Sequence, residues 1–369
     1  MHCDASHRDM LLFDNAPAPT ATDLSPAVTV RAPGRLHLGF LDPSATLGRA
    51  FGGLGLVIEG FETAVQISAA RADQFSAATP AAEAELARAR DAIALLRRHS
   101  GCHAPLNLRL LQVLPAHAGF GSGTQLALAI GRAFAVLHGM AVSTATLAHW
   151  LARGARSGIG IAGFDHGGLL VDGGPSAGGV PAPVLARIEL AESWRIVVVQ
   201  DLAQRGLSGS DEKHAIATLA PLPQAIAADI CHHVLMRILP GAAHAEFAPF
   251  AAGITHIQQL LGKHFAPAQN GSAYTSPAVG RLLRSAAVVA RAAGHSVPAI
   301  DQSSWGPTGF AILPSQADAE ALVSAARANG LVGPQLELRI VQARRRGADI
   351  AITPQTPNAA TAAPRSITT

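Results

Sequence analysis

The chain has 369 residues, 49% hydrophobic and 14% charged, enough to bury one large core or two ordinary ones. Aromatics are 4% and the net charge is +3, so neither a base-stacking platform nor a strongly basic face points to nucleic acid. Three scattered cysteines, Cys3, Cys102 and Cys231, form no metal-ligand pair and suggest no disulfide framework, and no uncharged apolar run is long enough for a membrane span. These features lead us to expect an enzyme of the reducing cytoplasm with no membrane partner.

Residues 1–26 read as a disordered leader with three prolines, and 353–369 as a disordered tail rich in Pro, Thr and Ala. Val28 to Arg31 reads as a short strand, followed by a turn at Pro33-Gly34. Leu54 to Glu59 and Thr63 to Ser68 read as two more strands, with Gly60 near the turn between them. Helical spacing runs from Glu83 to His99 and stops before Gly101. Leu106 to Val113 is a strand that feeds a glycine-rich loop, and the helix Thr124 to Leu137 lies behind that loop. A further helix is expected over 145–153 and a short strand over 168–171. The Pro/Gly-rich passage 173–183 breaks the pattern and is read as a boundary between domains 27–183 and 184–352. The second half opens with a strand at 195–199, with helices expected at 222–238, 253–264 and 278–293. It closes with a strand at 309–313, a helix at 316–328 behind the capping signal Ser315-Gln-Ala-Asp318, and a strand at 336–341.

Chemistry concentrates in five segments. In Pro115-Ala-His-Ala-Gly-Phe-Gly-Ser-Gly-Thr-Gln125, glycines let the backbone approach a ligand, and the helix behind offers unpaired N–H groups and a positive dipole end. That combination suits a phosphate, with His117, Gly119, Gly121, Ser122, Gly123, Thr124 and Gln125 as the binding set and Thr124 doubling as helix N-cap. In Ala32-Pro-Gly-Arg-Leu-His-Leu-Gly-Phe-Leu-Asp42, Arg35 and His37 share one strand face. Arg35 can hold a phosphate or carboxylate bidentately. The glycine-dense stretch 153–168 carries Arg156, Ser157, Asp165 and His166, and reads as a loop. Asp301-Gln-Ser-Ser-Trp-Gly-Pro-Thr-Gly309 is rich in hydroxyls, and its Trp305 can face an aromatic ligand. A weaker segment runs from Ile196 to Ser208, where a strand leads to an acidic residue, Arg205 and a Gly-Ser loop.

Pro33-Gly34-Arg35, the loop 115–125 and the segment 301–309 occur in the order seen in the GHMP kinase superfamily, which the chain resembles over roughly 28–350. The resemblance implies a two-domain α/β (α+β) fold, with a ribosomal-protein-S5-like N-terminal domain and a ferredoxin-like C-terminal domain. Where kinases often carry Ser-Gly-x-Asp, this chain has Ser157-Gly-Ile-Gly160, and a glycine cannot serve as a base. The departures from the kinases are those of a narrower group. Gly34 to Asp42, Gly121 to Gln125, Arg156 to Gly160, Val171 to Gly174, Arg205 to Gly209 and Gln302 to Thr308 are similar to the β-ribofuranosylaminobenzene 5′-phosphate synthases. That resemblance implies transfer of phosphoribosyl from phosphoribosyl diphosphate to 4-aminobenzoate or 4-hydroxybenzoate, with loss of CO2 and diphosphate, early in tetrahydromethanopterin biosynthesis. It implies Mg²⁺, no organic cofactor and a homodimer.

On this reading Arg35, His37, Asp42 and Asp165 are the expected catalytic groups, and Asp42 and Asp172 the expected Mg²⁺ ligands. Arg156, Ser157 and Arg205 join the phosphate set, and Ser303, Ser304, Trp305 and Thr308 bound the arene. The competing readings are a GHMP-type small-molecule kinase using ATP and a non-catalytic regulator that binds a sugar phosphate or nucleotide.

Overall fold

The computed structural model describes residues 26–176, 182–207, 209–292, 294 and 296–354. The expected leader, apart from Pro26, and most of the expected tail lie outside these residues, as do Cys3 and Ser208.

The first half runs β1 (Ala27–Asp42), β2 (Phe51–Ala69), β3 (Gln74–Ala77), α1 (Pro80–Glu83), α2 (Leu86–Ser100), β4 (Leu106–Gln112), α3 (Ser122–Leu137), α4 (Thr144–Trp150), α5 (Ile159–His166), β5 (Leu169–Asp172) and β6 (Val184–Ile188). The second runs β7 (Arg195–Asp201), α6 (Gly209–Thr218), α7 (Gln224–His233), α8 (Leu239–Ala243), α9 (Phe247–Phe265), α10 (Pro277–Ala292), β8 (Ala299–Gln302), β9 (Thr308–Leu313), α11 (Gln316–Ala328), β10 (Leu336–Val341) and β11 (Asp349–Thr353). A π-helical turn, Val234–Ile238, joins α7 to α8.

Two expected turns are bulges. β1 passes through Pro33-Gly34 with a register shift between Pro33 and Arg35. Opposite that shift β2 bulges over 58–61, where Glu59 N–H donates to the Gln342 carbonyl and Ile58 bridges Ala343. A bulge tolerates a proline that a regular ladder would not, so the pairs of short strands expected here are two long ones.

The first sheet has the order β11-β1-β2-β4-β3, with β5 paired to β2 and β6 to β5. Its strands therefore come from both sides of residue 183: β6 closes on β5, and β11 returns from the far end of the chain to β1. The division expected at 183 is not where the sheets divide, since that falls between β6 and β7. The second sheet, β10-β7-β9-β8, is antiparallel throughout. Its βαββαβ order is the expected ferredoxin-like one. Valines of β7 alternate, so Val197 and Val199 pack under α10 and α11 while Ile196 and Val198 face the core shared with β1, β2, α7 and α9. That shared core holds the two halves together and fixes the seam between them. Among the described residues no helix is long and apolar enough to cross a membrane.

Candidate active site

The seam is held by an interlock of four backbone segments. His37 N–H on β1 donates to Ser303 Oγ at 2.9 Å, and Ser304 N–H donates back to the His37 carbonyl at 3.2 Å. Ser303 Oγ donates to the Gly119 carbonyl at 2.7 Å, and Gly206 N–H donates to the His117 carbonyl at 3.0 Å. Arg35 clamps the glycine loop twice, through its own N–H to the Phe120 carbonyl at 3.1 Å and through Nη1 to the Gly119 carbonyl at 2.6 Å. The approach is so close that a Cβ on Gly119 would lie 2.4 Å from the Ser303 carbonyl oxygen.

The loop ends at Gly121, whose φ of +76° makes it the N-cap of α3. Thr124, expected as the cap, is the third residue of the helix. A glycine cap has no side chain to accept from the first N–H groups of α3.

That start opens into a cleft of about 540 Å³. It is lined by Arg35, Arg88, Arg153 and Arg156, by His117, Ser122, Gly123, Thr124 and Ser157, and by a single carboxylate among the described residues, Glu212. Glu212 accepts from Arg156 Nη2 at 2.9 Å. Arg35 Nε, Arg153 Nε and Arg156 Nη1 are buried without a hydrogen-bond partner. Burial lowers Arg35 to about 10, with Glu212 opposing, and burial followed by Arg88 lowers Arg153. Guanidinium nitrogens buried without an acceptor are costly in the free protein, and a ligand with several anionic oxygens would relieve that cost.

A second, small cavity of about 40 Å³ abuts the cleft. Trp305, Phe265, Gln258, Gln269 and Gln302 surround it, and His37, Phe40 and Ser304 are common to both cavities. Trp305 meets Phe265 edge to face at 4.8 Å. His37 is buried, and neither of its ring nitrogens has a partner. Burial, then Arg35 and Arg156, pushes it down to about 3, so the imidazole is neutral. The molecule thus sets an arginine-lined cleft against a small aromatic cavity, with an uncharged imidazole in the wall they share.

Residues 86–168 match the family described as GHMP kinases N terminal domain. The chain is 33% identical over 301 residues to the β-ribofuranosylphenol 5′-phosphate synthase of Archaeoglobus fulgidus, spanning 78% of this chain and 88% of that one. The chain belongs to this synthase family. A synthase of the same name from Methanothermobacter thermautotrophicus is 32% identical over 246 residues, 62% of this chain and 74% of the relative. Among solved structures, mevalonate diphosphate decarboxylase from Staphylococcus aureus superposes with a TM-score of 0.63 at 13% identity, over 89% of this chain and 98% of that one. Homoserine kinase from Cytophaga hutchinsonii gives 0.62 at 14%, over 91% and 100%. These two share the fold.

In this synthase-family chain the expected carboxylates do not reach the cleft. Asp42 is buried and accepts from Ser44 N–H at 3.1 Å, Leu47 N–H at 2.7 Å and the Thr46 hydroxyl, which holds the turn after β1. Asp165 is exposed on α5 and accepts from Thr144 Oγ1 at 2.5 Å. Asp172 accepts from Ser157 Oγ at 2.8 Å and from the N–H groups of Gly158 at 2.9 Å and Gly174 at 2.8 Å, and burial raises it. It pins the start of α5, a helix where sequence reading expects a loop.

Other expected residues also stand outside the two cavities. Gln125 is buried and ties α3 to the Gly160 carbonyl at 2.8 Å. Thr308 is buried in β9, Ser303 holds loops together, and Arg205 is exposed. In their place the cleft has Arg88, Arg153 and Glu212. Gly123 admits Arg88, since a Cβ there would lie 2.6 Å from Arg88 Nη2. Four guanidiniums and one paired carboxylate are a poor donor set for a protein-held Mg²⁺, which takes oxygen ligands.

Proposed function

We propose that this chain transfers phosphoribosyl from phosphoribosyl diphosphate to a 4-substituted benzoate and releases CO2 and diphosphate. The carrying observation is the arginine cleft set against the aromatic cavity across His37. A phosphoribosyl donor brings phosphate groups at both ends of a small sugar. The α3 N-terminus with Arg35 beside Gly121 and with Arg156, and the Arg88–Arg153 pair beside Gly123, offer anion donors along the same cleft. The relatives are named for a ribofuranosylphenol, which favours 4-hydroxybenzoate over 4-aminobenzoate as the arene.

In the proposed reaction the bond from ribose C1 to the diphosphate oxygen breaks, and the leaving group keeps the electron pair. Guanidinium N–H groups stabilise the charge that builds on it. The ring carbon bearing the carboxylate, made electron-rich by the para oxygen, bonds to C1. The C–CO2 bond then breaks and its electrons restore the aromatic ring. No proton leaves carbon, so the site needs no general base, consistent with a His37 lowered to about 3 and therefore a poor proton acceptor. Any Mg²⁺ would arrive with the diphosphate. Phosphoryl transfer to an alcohol fits less well, because Gly160 stands at the cleft where a kinase base is expected and Glu212 is held by Arg156.

The test is release of ¹⁴CO2 from carboxyl-labelled 4-hydroxybenzoate and 4-aminobenzoate. Release that depends on phosphoribosyl diphosphate is expected, faster from the hydroxy compound, with Arg35→Ala raising KM for the donor roughly tenfold or more. No donor-dependent release from folded protein would overturn the proposal.

A further inference from the structure

Among the described residues, one group of three side chains away from the cleft has the chemistry and spacing of a metal site. Asp229 and His233 lie one turn apart on α7, and His256 reaches them from α9. One ligand atom from each lies within 4.8 Å of the others. His256 Nε2 is 2.7 Å from Asp229 Oδ2, His233 Nδ1 is 3.2 Å from Asp229 Oδ1, and the two imidazoles stack at 4.0 Å.

We propose that Asp229, His233 and His256 bind a divalent transition ion of the Zn²⁺ class. Two imidazole nitrogens and one carboxylate are a borderline-soft donor set that suits Zn²⁺ and not Mg²⁺ or Ca²⁺. Zn²⁺ holds such ligands at about 2.0–2.2 Å in a tetrahedral array, so its donors stand roughly 3.3–3.6 Å apart, and the imidazoles must turn from their stacked arrangement and draw together as the ion binds. Asp229 and His256 are each 38% exposed, which gives an ion access from solvent and leaves a coordination position for water. The π-helical turn begins at Val234, directly after the second ligand on α7. Such turns inside helices recur at functional sites.

The ion would staple α7 to α9. Below His256 on α9, Gln258 donates to the Leu38 carbonyl, and Leu261 and Phe265 wall the aromatic cavity. The staple therefore sets the position of one wall of that cavity without touching the arginine cleft.

The experiment uses the full chain, stripped with chelator and titrated with Zn²⁺ by calorimetry, with Co²⁺ as a spectroscopic probe. Saturable binding of one ion per chain, visible Co²⁺ d–d bands and a Tm raised by several degrees are expected. Asp229→Asn and His256→Gln should each weaken binding at least tenfold. His256→Gln can keep a hydrogen bond to Asp229, so its helices should stay intact by far-UV circular dichroism. Absence of saturable binding by the wild-type chain, or affinity unchanged in both variants, would overturn the proposal. Because the readout is binding, it is independent of whether the cleft performs the phosphoribosyl transfer.

Discussion

His37 ties the chemistry of the site to the stability of the fold through one proton. In the folded chain it titrates at about 3, because burial and then Arg35 and Arg156 disfavour the imidazolium, against an ordinary value of 6.5. Between those values the unfolded state binds more protons than the folded one. The contribution of His37 is therefore fully present above pH 6.5 and is lost as pH falls towards 3. Asp301 has the opposite sign: burial raises its carboxyl, so its contribution is present at low pH and lost as pH rises. In a comparison of wild type with His37→Gln the Asp301 contribution cancels. Urea unfolding from pH 7 to pH 4 should show wild type losing stability faster than the variant, by up to about 1.4 kcal/mol per pH unit. Parallel curves would mean that His37 carries no depressed titration.

At the scale of elements, the site depends on loops that pass each other with no room for a side chain. A Cβ on Gly306 would lie 2.4 Å from the backbone carbon and oxygen of Ala118 and 2.5 Å from the Gly119 nitrogen. Backbone cannot rotate out of the way as a flexible side chain can. Gly306→Ala should therefore prise the 303–306 segment from the glycine loop, at a cost of about 1–3 kcal/mol in stability. A loss of roughly a hundredfold in kcat/KM should accompany it, since Ser303 and Ser304 anchor β1 through the same segment. Gly333→Ala, with no atom within 4 Å of the added carbon, is the control. Equal melting and equal turnover in the two variants would show that the close approach is not needed.

The same elements show what could be read from sequence. The glycine loop, the strand before it and the helix behind it carry local signals, and so do α11 and β10, whose expected limits match the structure. The long β1 could not be read, because Pro33-Gly34 looks like a turn until a partner strand bulges opposite it. Nor could α5, since its glycines suggest flexibility. In the structure Gly163 packs against Val57, where a Cβ would lie 2.9 Å from Val57 Cγ2. Among site residues, acids in glycine-rich loops look alike whether they bind a ligand or hold backbone N–H groups, and Asp42 and Asp172 do the latter. Arg88 lies on the face of an amphipathic helix, where an arginine reads as solvated.

For the whole molecule, the outer edge of β1 is covered by β11, paired from Ala27↔Thr353 to Arg31↔Asp349. The buried Arg344 guanidinium secures the return by donating to Glu59 Oε2 at 2.9 Å, Asp349 Oδ2 at 2.8 Å and the Gly347 carbonyl at 2.9 Å. Ending the chain after Arg346 removes the strand and two of these acceptors. Unfolding followed by tryptophan fluorescence should then show a loss of several kcal/mol, with more aggregation from the bared edge. An unchanged midpoint would show that the pairing adds nothing to stability.

The return of β11 also sets an order of events during synthesis. The strand that bears Arg35 and His37 leaves the ribosome well before the strand that covers its edge, which is made more than three hundred residues later. At about 5–20 residues per second the wait lasts at least about fifteen seconds. Throughout it this strand has an open edge that a neighbouring nascent chain can join. Crowded translation of this message therefore selects for whatever shields that edge until β11 arrives.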